Sequence, residues 1–363
     1  MITIPNDLYP HITENASLRS SNSFGIDARA RYFSTFSTEE ELAQRLAFTR
    51  GRQSSGNLLP LLVLGGGSNI LLTADFDGLV LRNDIKGIRL LREDRRHLYV
   101  EVGAGENWHG FVEYCLKRDW AGVENLSLIP GNVGAAPMQN IGAYGVELKE
   151  VFHELDAWSL EEGKVRTFTL NDCEFGYRDS IFKGRYKGRF IILHVVFKLD
   201  KFPVFHTEYG AIREELERVK APLNIQAISE AVIRIRRSKL PDPAEIGNAG
   251  SFFKNPTVSH KRFEELRAAF PGIIGYPNPA TGYAANAGSV GEPTVKLAAG
   301  WLIEQCGWKG FRRGDAGCHA RQALVLVNYG NASGKDIYDL SEEILQSVEK
   351  KFGLRLEREV NIV

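Results

Sequence analysis

The chain has 363 residues, 43% of them apolar and 25% charged, an ordinary globular composition with room for more than one domain and a large core. Lys plus Arg equals Asp plus Glu, 45 each, so no net field draws it toward nucleic acid or a membrane surface, and recognition has to come from local sites. The four cysteines lack a C-x-x-C pair, no basic region followed by an apolar segment opens the chain, and no long uncharged apolar run occurs, so the expectation is a cytoplasmic, unexported protein without membrane insertion.

Residues 1–23 are polar and read as an arm, with order beginning near Phe24. Leu42 to Thr49 has helical spacing, whereas Leu61 to Leu64 and Leu79 to Leu81 read as buried strands and Leu98 to Val102 alternates as a half-buried one. The first strand runs into Gly65-Gly66-Gly67-Ser68-Asn69, where residues without a Cβ let successive backbone N–H groups turn toward one anion; a plain turn after a buried strand is the competing reading. Neither a G-x-G-x-x-G fingerprint nor a G-x-x-x-x-G-K-[ST] loop is present.

Asn107 to Lys117 places Trp108, Phe111, Val112 and Cys115 on one helical face. Ile129 to Gly145 is glycine-rich and uncharged, a loop suited to lying against something flat and partly apolar, in the protein or in a ligand. Strands are expected at Val151 to Trp158, Val165 to Leu170 and Phe190 to Leu199, then helices at Glu208 to Val219 and Ser229 to Arg237. Pro241 and Pro243 mark a domain junction. Beyond it come an aromatic and polar knot at Asn248 to Pro256, a helix at Lys261 to Ala269, a loop from Pro271 to Pro293, a helical stripe from Leu297 to Cys306 and a strand at Ala323 to Val327. Ser333 with Asp336 signals a capped helix closed by Gly353, and a last strand, Arg355 to Ile362, would put Glu357 and Glu359 on one face.

The histidines are scattered, no pair has metal-ligand spacing, and no G-x-S-x-G elbow exists, so no metal site and no serine hydrolase are expected. Gly176-Tyr177-Arg178-Asp179-Ser180 offers a guanidinium that could hold a carboxylate bidentately, and Gly250 to Pro256 supplies Ser251, Lys254 and Asn255 around two phenylalanines.

Together these motifs resemble the UDP-N-acetylenolpyruvoylglucosamine reductase family, in its tyrosine-loop subclass. The matching stretches are Asn22 to Asp27, Leu64 to Asn69, Gly103 to Trp108, Ile129 to Gly145, Cys173 to Phe182, Lys239 to Pro243, Gly250 to Pro256, Lys296 to Cys306 and Leu356 to Val360. The resemblance implies an α+β fold: an FAD-binding region of the vanillyl-alcohol-oxidase type in two subdomains, 1–80 and 81–238, an α/β substrate-binding domain at 239–353, and a C-terminal strand, 354–363, returning to the active site. It implies non-covalent FAD, NADPH as co-substrate, a UDP-sugar substrate and a monomer. NADPH reduces FAD and leaves, and reduced flavin then delivers hydride to the vinyl carbon of an enolpyruvyl ether.

Carried over residue by residue, the resemblance implies Arg178 as the stabiliser of the developing enediolate, Glu359 as its acidic partner and Ser251 as the proton donor. Gly65, Gly66, Gly67, Ser68, Asn69, Pro130, Gly131, Gly134, Asn140, Gly142 and Arg236 would bind the cofactor. Tyr177, Tyr186, Lys239, Asn255, Tyr276, Lys309 and Gln322 would bind substrate. Lys254, Asn255 or an ordered water would polarise Ser251. The alternatives are another FAD-dependent oxidase or dehydrogenase of the same wider fold acting on an alcohol or hydroxy acid, and a non-catalytic nucleotide-binding module; no histidine beside Gly65 to Asn69 offers a covalent flavin anchor.

Overall fold

The computed structural model describes residues 11–51, 59–220, 222–277 and 293–363. They fall into two compact units. One comprises Met1–Ser21, Ala28–Ser68 and Asp75–Ser238, and the other Asn22–Asp27, Asn69–Ala74 and Lys239–Val363. The second unit therefore takes two short segments from the N-terminal part of the chain, and the division passes between Ser68 and Asn69 and again between Ser238 and Lys239.

In the first unit a four-stranded sheet has the order Thr13–Ser17, Arg29–Phe36, Phe76–Asn83, Leu61–Leu64, the first pair antiparallel and the others parallel. Arg29–Phe36 alternates exposed and buried residues, and its inward Tyr32 meets Phe48 of the helix Glu39–Gly51 edge to face at 5.1 Å. A second sheet is antiparallel throughout, in the order Lys164–Thr169, Phe152–Ser159, Phe190–Asp200, His97–Gly103, Ile88–Glu93. Trp158, Ile191 and Leu193 from it share one core with Tyr32, Phe36, Leu79 and Leu81 of the first sheet. A larger core gathers around Trp108, Phe111 and Phe197, with the helix Trp108–Leu116 burying the predicted stripe through Cys115.

Thr13–Ser17 corrects the expectation of a polar arm. It is an edge strand, held by backbone pairing to Arg29–Phe36, and such a strand needs no apolar face of its own. Leu18, which follows it, is buried. The uncharged passage from Ile129 is neither helix nor long strand. It is built of the short 3-10 turns Val133–Ala135 and Pro137–Gln139 and a two-residue pairing of Gly142–Ala143 with Val146–Glu147. The helix expected from Ser229 begins earlier, as Ile225–Lys239.

The second unit contains an antiparallel sheet, Gly247–Ser251, Val325–Asn328, Ala316–Cys318, Arg312–Arg313, and a three-stranded sheet, Thr257–Ser259, Thr294–Leu297, Gly275–Pro277. Gly275–Pro277 lies inside what reads in sequence as a loop; residues 278–292 of that stretch lie outside the described residues. Thr294–Leu297 is likewise a strand, so the stripe read from Leu297 is divided and its helix is Ala299–Gln305.

Helix Gly334–Phe352 is closed as its sequence indicates, by a Ser333/Asp336 capping box and by Gly353 in the left-handed region at φ 64°. The last strand is shorter than expected: only Asn361–Ile362 pairs, in parallel with Ile70–Leu71, and Arg358 makes a single bridge to Phe253. No helix of the described residues is long and apolar enough to cross a membrane, and no group of acidic, His or Cys side chains among them could hold a metal. Cys115, Cys173 and Cys318 are buried free thiols, and burial pushes the thiols of Cys173 and Cys318 up to about 12.

Candidate active site

In the first unit the two glycine passages meet. A Cβ on Gly66 would lie 3.0 Å from both Asn132 Oδ1 and Gly131 Cα, and one on Gly131, whose φ is +110°, would lie 2.5 Å from Ser68 Oγ. Ser68 Oγ donates to Pro130 O at 3.1 Å, so its proton already has an acceptor within the loop pair. No backbone hydrogen bond among the described residues uses the N–H of Gly66, Gly67 or Ser68 as donor. Asn132, which the sequence reading did not single out, lies against Gly65 and donates from Nδ2 to Gly105 O at 3.1 Å. It joins the Gly65 to Ser68 turn to the Gly103 to Trp108 turn, and only proximity in the fold reveals that.

Gly134 packs rather than opens: a Cβ there would lie 2.5 Å from Ala104 Cβ, and its N–H bonds Ala104 O at 2.9 Å. Asn140 is fully buried and left-handed, with its side-chain amide bonded to Glu147, Gly176 and Lys149. It braces the loop from inside. Gly142 offers its carbonyl to the Arg178 guanidinium, and a Cβ on it would lie 2.9 Å from Arg178 Nη1.

Arg178 itself is left-handed, at φ 53°, in a tight turn after Tyr177, whose ring centre is 5.3 Å from the guanidinium carbon. Arg236 has its Nε buried without a hydrogen-bond partner among the described residues. Burial lowers its pKa, the nearby Tyr144 phenol opposes that, and the positive charge of Arg178 adds to it. An arginine nevertheless stays protonated. A buried guanidinium on which a second positive charge acts favours an anion.

Tyr186, expected to bind substrate, is packed within the first unit. Its ring sits in an aromatic cluster with Phe168 and Phe190, at 5.9 and 5.0 Å, and Arg166, Arg185 and Arg189 lie over it. Tyr209, by contrast, is 46% exposed and meets Tyr144 edge to face at 5.3 Å. Burial raises the Tyr144 pKa, and the charge of Arg236 opposes that.

In the second unit Ser251 ends the strand Gly247–Ser251, next to the buried pair Phe252 and Phe253. Glu359 N–H donates to Phe252 O at 2.9 Å, and Lys254 N–H to Glu357 O at 2.8 Å, so the chain after Ser251 runs beside the chain carrying both glutamates. Glu357 is exposed and its carboxylate is 2.5 Å from Lys254 Nζ, whereas Glu359 is half-buried. The two do not present equivalent faces, because strict alternation of burial breaks after Glu357. Asn69 belongs to this unit, and its Nδ2 donates to Glu359 O at 3.3 Å.

The side chains expected to polarise Ser251 have other partners: Lys254 has Glu357, and Asn255 Oδ1 accepts from Ala299 N at 2.9 Å, at the start of a helix. Lys239 is exposed at the end of its helix. Tyr276 is 48% exposed on Gly275–Pro277 and paired in register with Lys296. Lys309 Nζ is 2.9 Å from a Glu304 carboxylate oxygen, and Gln322 Oε1 sits where a Cβ on Gly300 would be 2.8 Å away.

Comparison with known proteins adds the following. Residues 242–363 match the model of the UDP-N-acetylenolpyruvoylglucosamine reductase C-terminal domain, and residues 31–169 match that of an FAD binding domain. The chain is 51% identical over 350 residues to the UDP-N-acetylenolpyruvoylglucosamine reductase of Pseudomonas putida, covering 96% of this chain and 98% of that one. It is 51% identical over 353 residues to the enzyme of that name from Amoebophilus asiaticus, covering 97% and 99%. The crystal structure of UDP-N-acetylenolpyruvylglucosamine reductase from Thermus caldophilus superposes with a TM-score of 0.64 at 24% identity, over 96% of this chain and 97% of that one, which is a likeness of fold.

Proposed function

The chain belongs to the UDP-N-acetylenolpyruvoylglucosamine reductase family, and from that premise we propose how its own residues divide the work. The protein is an NADPH- and FAD-dependent reductase that converts UDP-N-acetylenolpyruvoylglucosamine to UDP-N-acetylmuramate. Membership sets aside both alternatives, the alcohol or hydroxy-acid oxidase and the non-catalytic module.

The residues present fit the cofactor. A turn packed tightly at Gly66, whose N–H groups at Gly66, Gly67 and Ser68 have no backbone acceptor among the described residues, suits a pyrophosphate, and Arg236 Nε, without a partner among those residues, suits a further acceptor on the same molecule. When bound and reduced, FAD supplies the hydride. Gly134 and Asn140 shape the loop in this reading rather than touch the cofactor.

Hydride addition to the β-carbon of an unsaturated carboxylate pushes negative charge onto that carboxylate, which is costly unless donors already point at it. Arg178 is the donor in this reading, and Glu359, as a protonated acid, its partner. Ser251 gives its proton to the α-carbon. The observation that carries the assignment is the Glu359 N–H to Phe252 O bond, which makes the residue after Ser251 and Glu359 hydrogen-bonded neighbours on adjoining chain segments. Since Lys254 and Asn255 are engaged elsewhere, an ordered water is left to polarise the hydroxyl. Tyr177, Lys239, Asn255, Tyr276, Lys309 and Gln322 would hold the sugar nucleotide, with exposed Tyr209 more accessible to it than packed Tyr186.

The test is single-turnover reoxidation of reduced flavin in Ser251→Ala. A loss of ~100-fold or more is expected, with reduction by NADPH unchanged, because positioned proton donation is usually worth that much. A loss of only severalfold would overturn the role given to Ser251.

A further inference from the structure

Tyr177 and Arg178 occupy the middle of a turn closed on both sides: Gly176 N–H donates to Asp179 O at 3.0 Å and Asp179 N–H to Gly176 O at 3.4 Å. Arg178 is left-handed there, a conformation a bulky residue keeps only when its surroundings over-determine it. The surroundings are the glycine-rich loop, which grips the turn at three points. Ser180 Oγ donates to Met138 O at 2.7 Å, Asn140 Nδ2 donates to Gly176 O at 2.9 Å, and the Arg178 guanidinium donates to Gly142 O.

Asn140 is the centre of this grip. Its other Nδ2 hydrogen goes to Glu147 Oε2 at 3.1 Å, and its Oδ1 accepts from Lys149 N at 3.0 Å. Both donors and the acceptor are thus engaged within the protein, and the residue is fully buried, so no polar group of its side chain is turned toward a ligand. We propose that Asn140 is a positioning residue for Arg178, acting through the Gly176 carbonyl, and not a cofactor contact. The loop that shapes the cofactor site thereby also sets where the guanidinium stands. This inference rests on the catalytic role proposed above for Arg178.

The test compares the two half-reactions in Asn140→Gly, which tolerates the left-handed backbone while deleting all three side-chain bonds. Reoxidation of reduced flavin by the enolpyruvyl substrate is expected to fall ~10- to 100-fold, since small misplacement of a positioned group costs up to that much. The thermal midpoint should fall, because the Gly176 carbonyl and the Lys149 amide lose buried partners, whereas the FAD dissociation constant and the rate of reduction by NADPH should change several-fold less than reoxidation does. In an Arg178→Ala background the same substitution should add less than about twofold, because the two residues act as one unit.

Parallel loss of FAD affinity and of both half-reactions, or a fully additive loss in the double variant, would overturn the proposal and leave Arg178 untouched. Unimpaired reoxidation in Arg178→Ala alone would overturn the parent reading and this one with it. If Asn140→Gly does not fold, Ser180→Ala, which cuts the Met138 tether together with the bond that Ser180 Oγ accepts from Phe182 N at 3.2 Å, must show the same split between half-reactions, and its failure to do so counts against the proposal.

Discussion

The Leu128 amide donates to His109 Nδ1 at 3.1 Å, and Leu128 makes that bond from the left-handed region, at φ 58°. Leu128 immediately precedes Ile129-Pro130-Gly131, so a neutral imidazole anchors the start of the glycine-rich loop. Accepting at Nδ1 requires the ring proton on Nε2, which faces Glu113 at 3.7 Å. Burial holds the His109 pKa below its usual range; Glu113 opposes this, and Arg236 and Arg237 reinforce it. A histidine with a depressed folded pKa contributes stability above its unfolded pKa of about 6.5, and that contribution is lost as pH falls below it. The wild type should therefore lose more thermal stability between about pH 8 and about pH 5 than His109→Asn, whose Oδ1 can accept from the same amide without titrating. Identical pH slopes would show that His109 is not the titrating anchor.

Gly131 gives a steric prediction. At φ +110°, and with Ser68 Oγ 2.5 Å from where an added methyl would stand, Gly131→Ala strains the backbone and pushes on the neighbouring turn together. A cost of about 1–3 kcal/mol follows, and with it a fall in FAD affinity of roughly 5- to 150-fold, measured by titrating apoprotein with FAD. Gly66→Ala, with contacts of 3.0 Å, should be milder. Wild-type affinity in Gly131→Ala would mean that the loop relaxes without disturbing the cradle.

Helix Gly334–Phe352 supplies a stability prediction independent of the chemistry. Ser333 Oγ accepts from Asp336 N at 3.1 Å while the Asp336 carboxylate accepts from Ser333 N at 2.9 Å. Ser333→Ala should cost about 1 kcal/mol by chemical denaturation. The Ser333 hydroxyl and amide hold the Asp336 pKa below the usual carboxylate range, so the stability they lend is present above about pH 4 and fades as pH falls further. A variant as stable as wild type at neutral pH would show that the cap is redundant with the buried face from Ile337 to Phe352.

That helix is legible in the sequence because each of its signals is local: a hydroxyl, an acid three residues on, an apolar stripe and a closing glycine. The strand into Gly65 and the stripe from Trp108 to Cys115 are legible for the same reason. What the sequence hides is which segments come together. Thr13–Ser17 has no apolar face to betray an edge strand, and Asn69 follows directly on Ser68 in the chain yet bonds to Glu359 O. Tyr186 and Tyr209 are both tyrosines near basic residues, and only packing separates the one held among Phe168 and Phe190 from the one exposed beside Tyr144. Asn140 reads as a polar loop residue, and nothing local says that its amide points inward.

The two glutamates near the C-terminus differ by environment alone, and that difference is testable. Glu357 is exposed, and its ion pair with Lys254 has one wet partner; such a pair contributes little. Glu359 is half-buried, with its N–H on Phe252 O and its carbonyl receiving the Asn69 side chain, so its backbone is fixed on both sides. Fixed backbone is what a group needs if it is to meet a developing charge without reorganising. Glu359→Ala should therefore slow flavin reoxidation by ~100-fold or more, the scale of a lost donor to a developing negative charge, while Glu357→Ala should change it by less than about threefold. Stopped-flow reoxidation of both variants, each first reduced by NADPH, checks this directly. Equal losses would assign the acid to neither residue, and the reverse order would move it to Glu357 and give Lys254 a part in the chemistry.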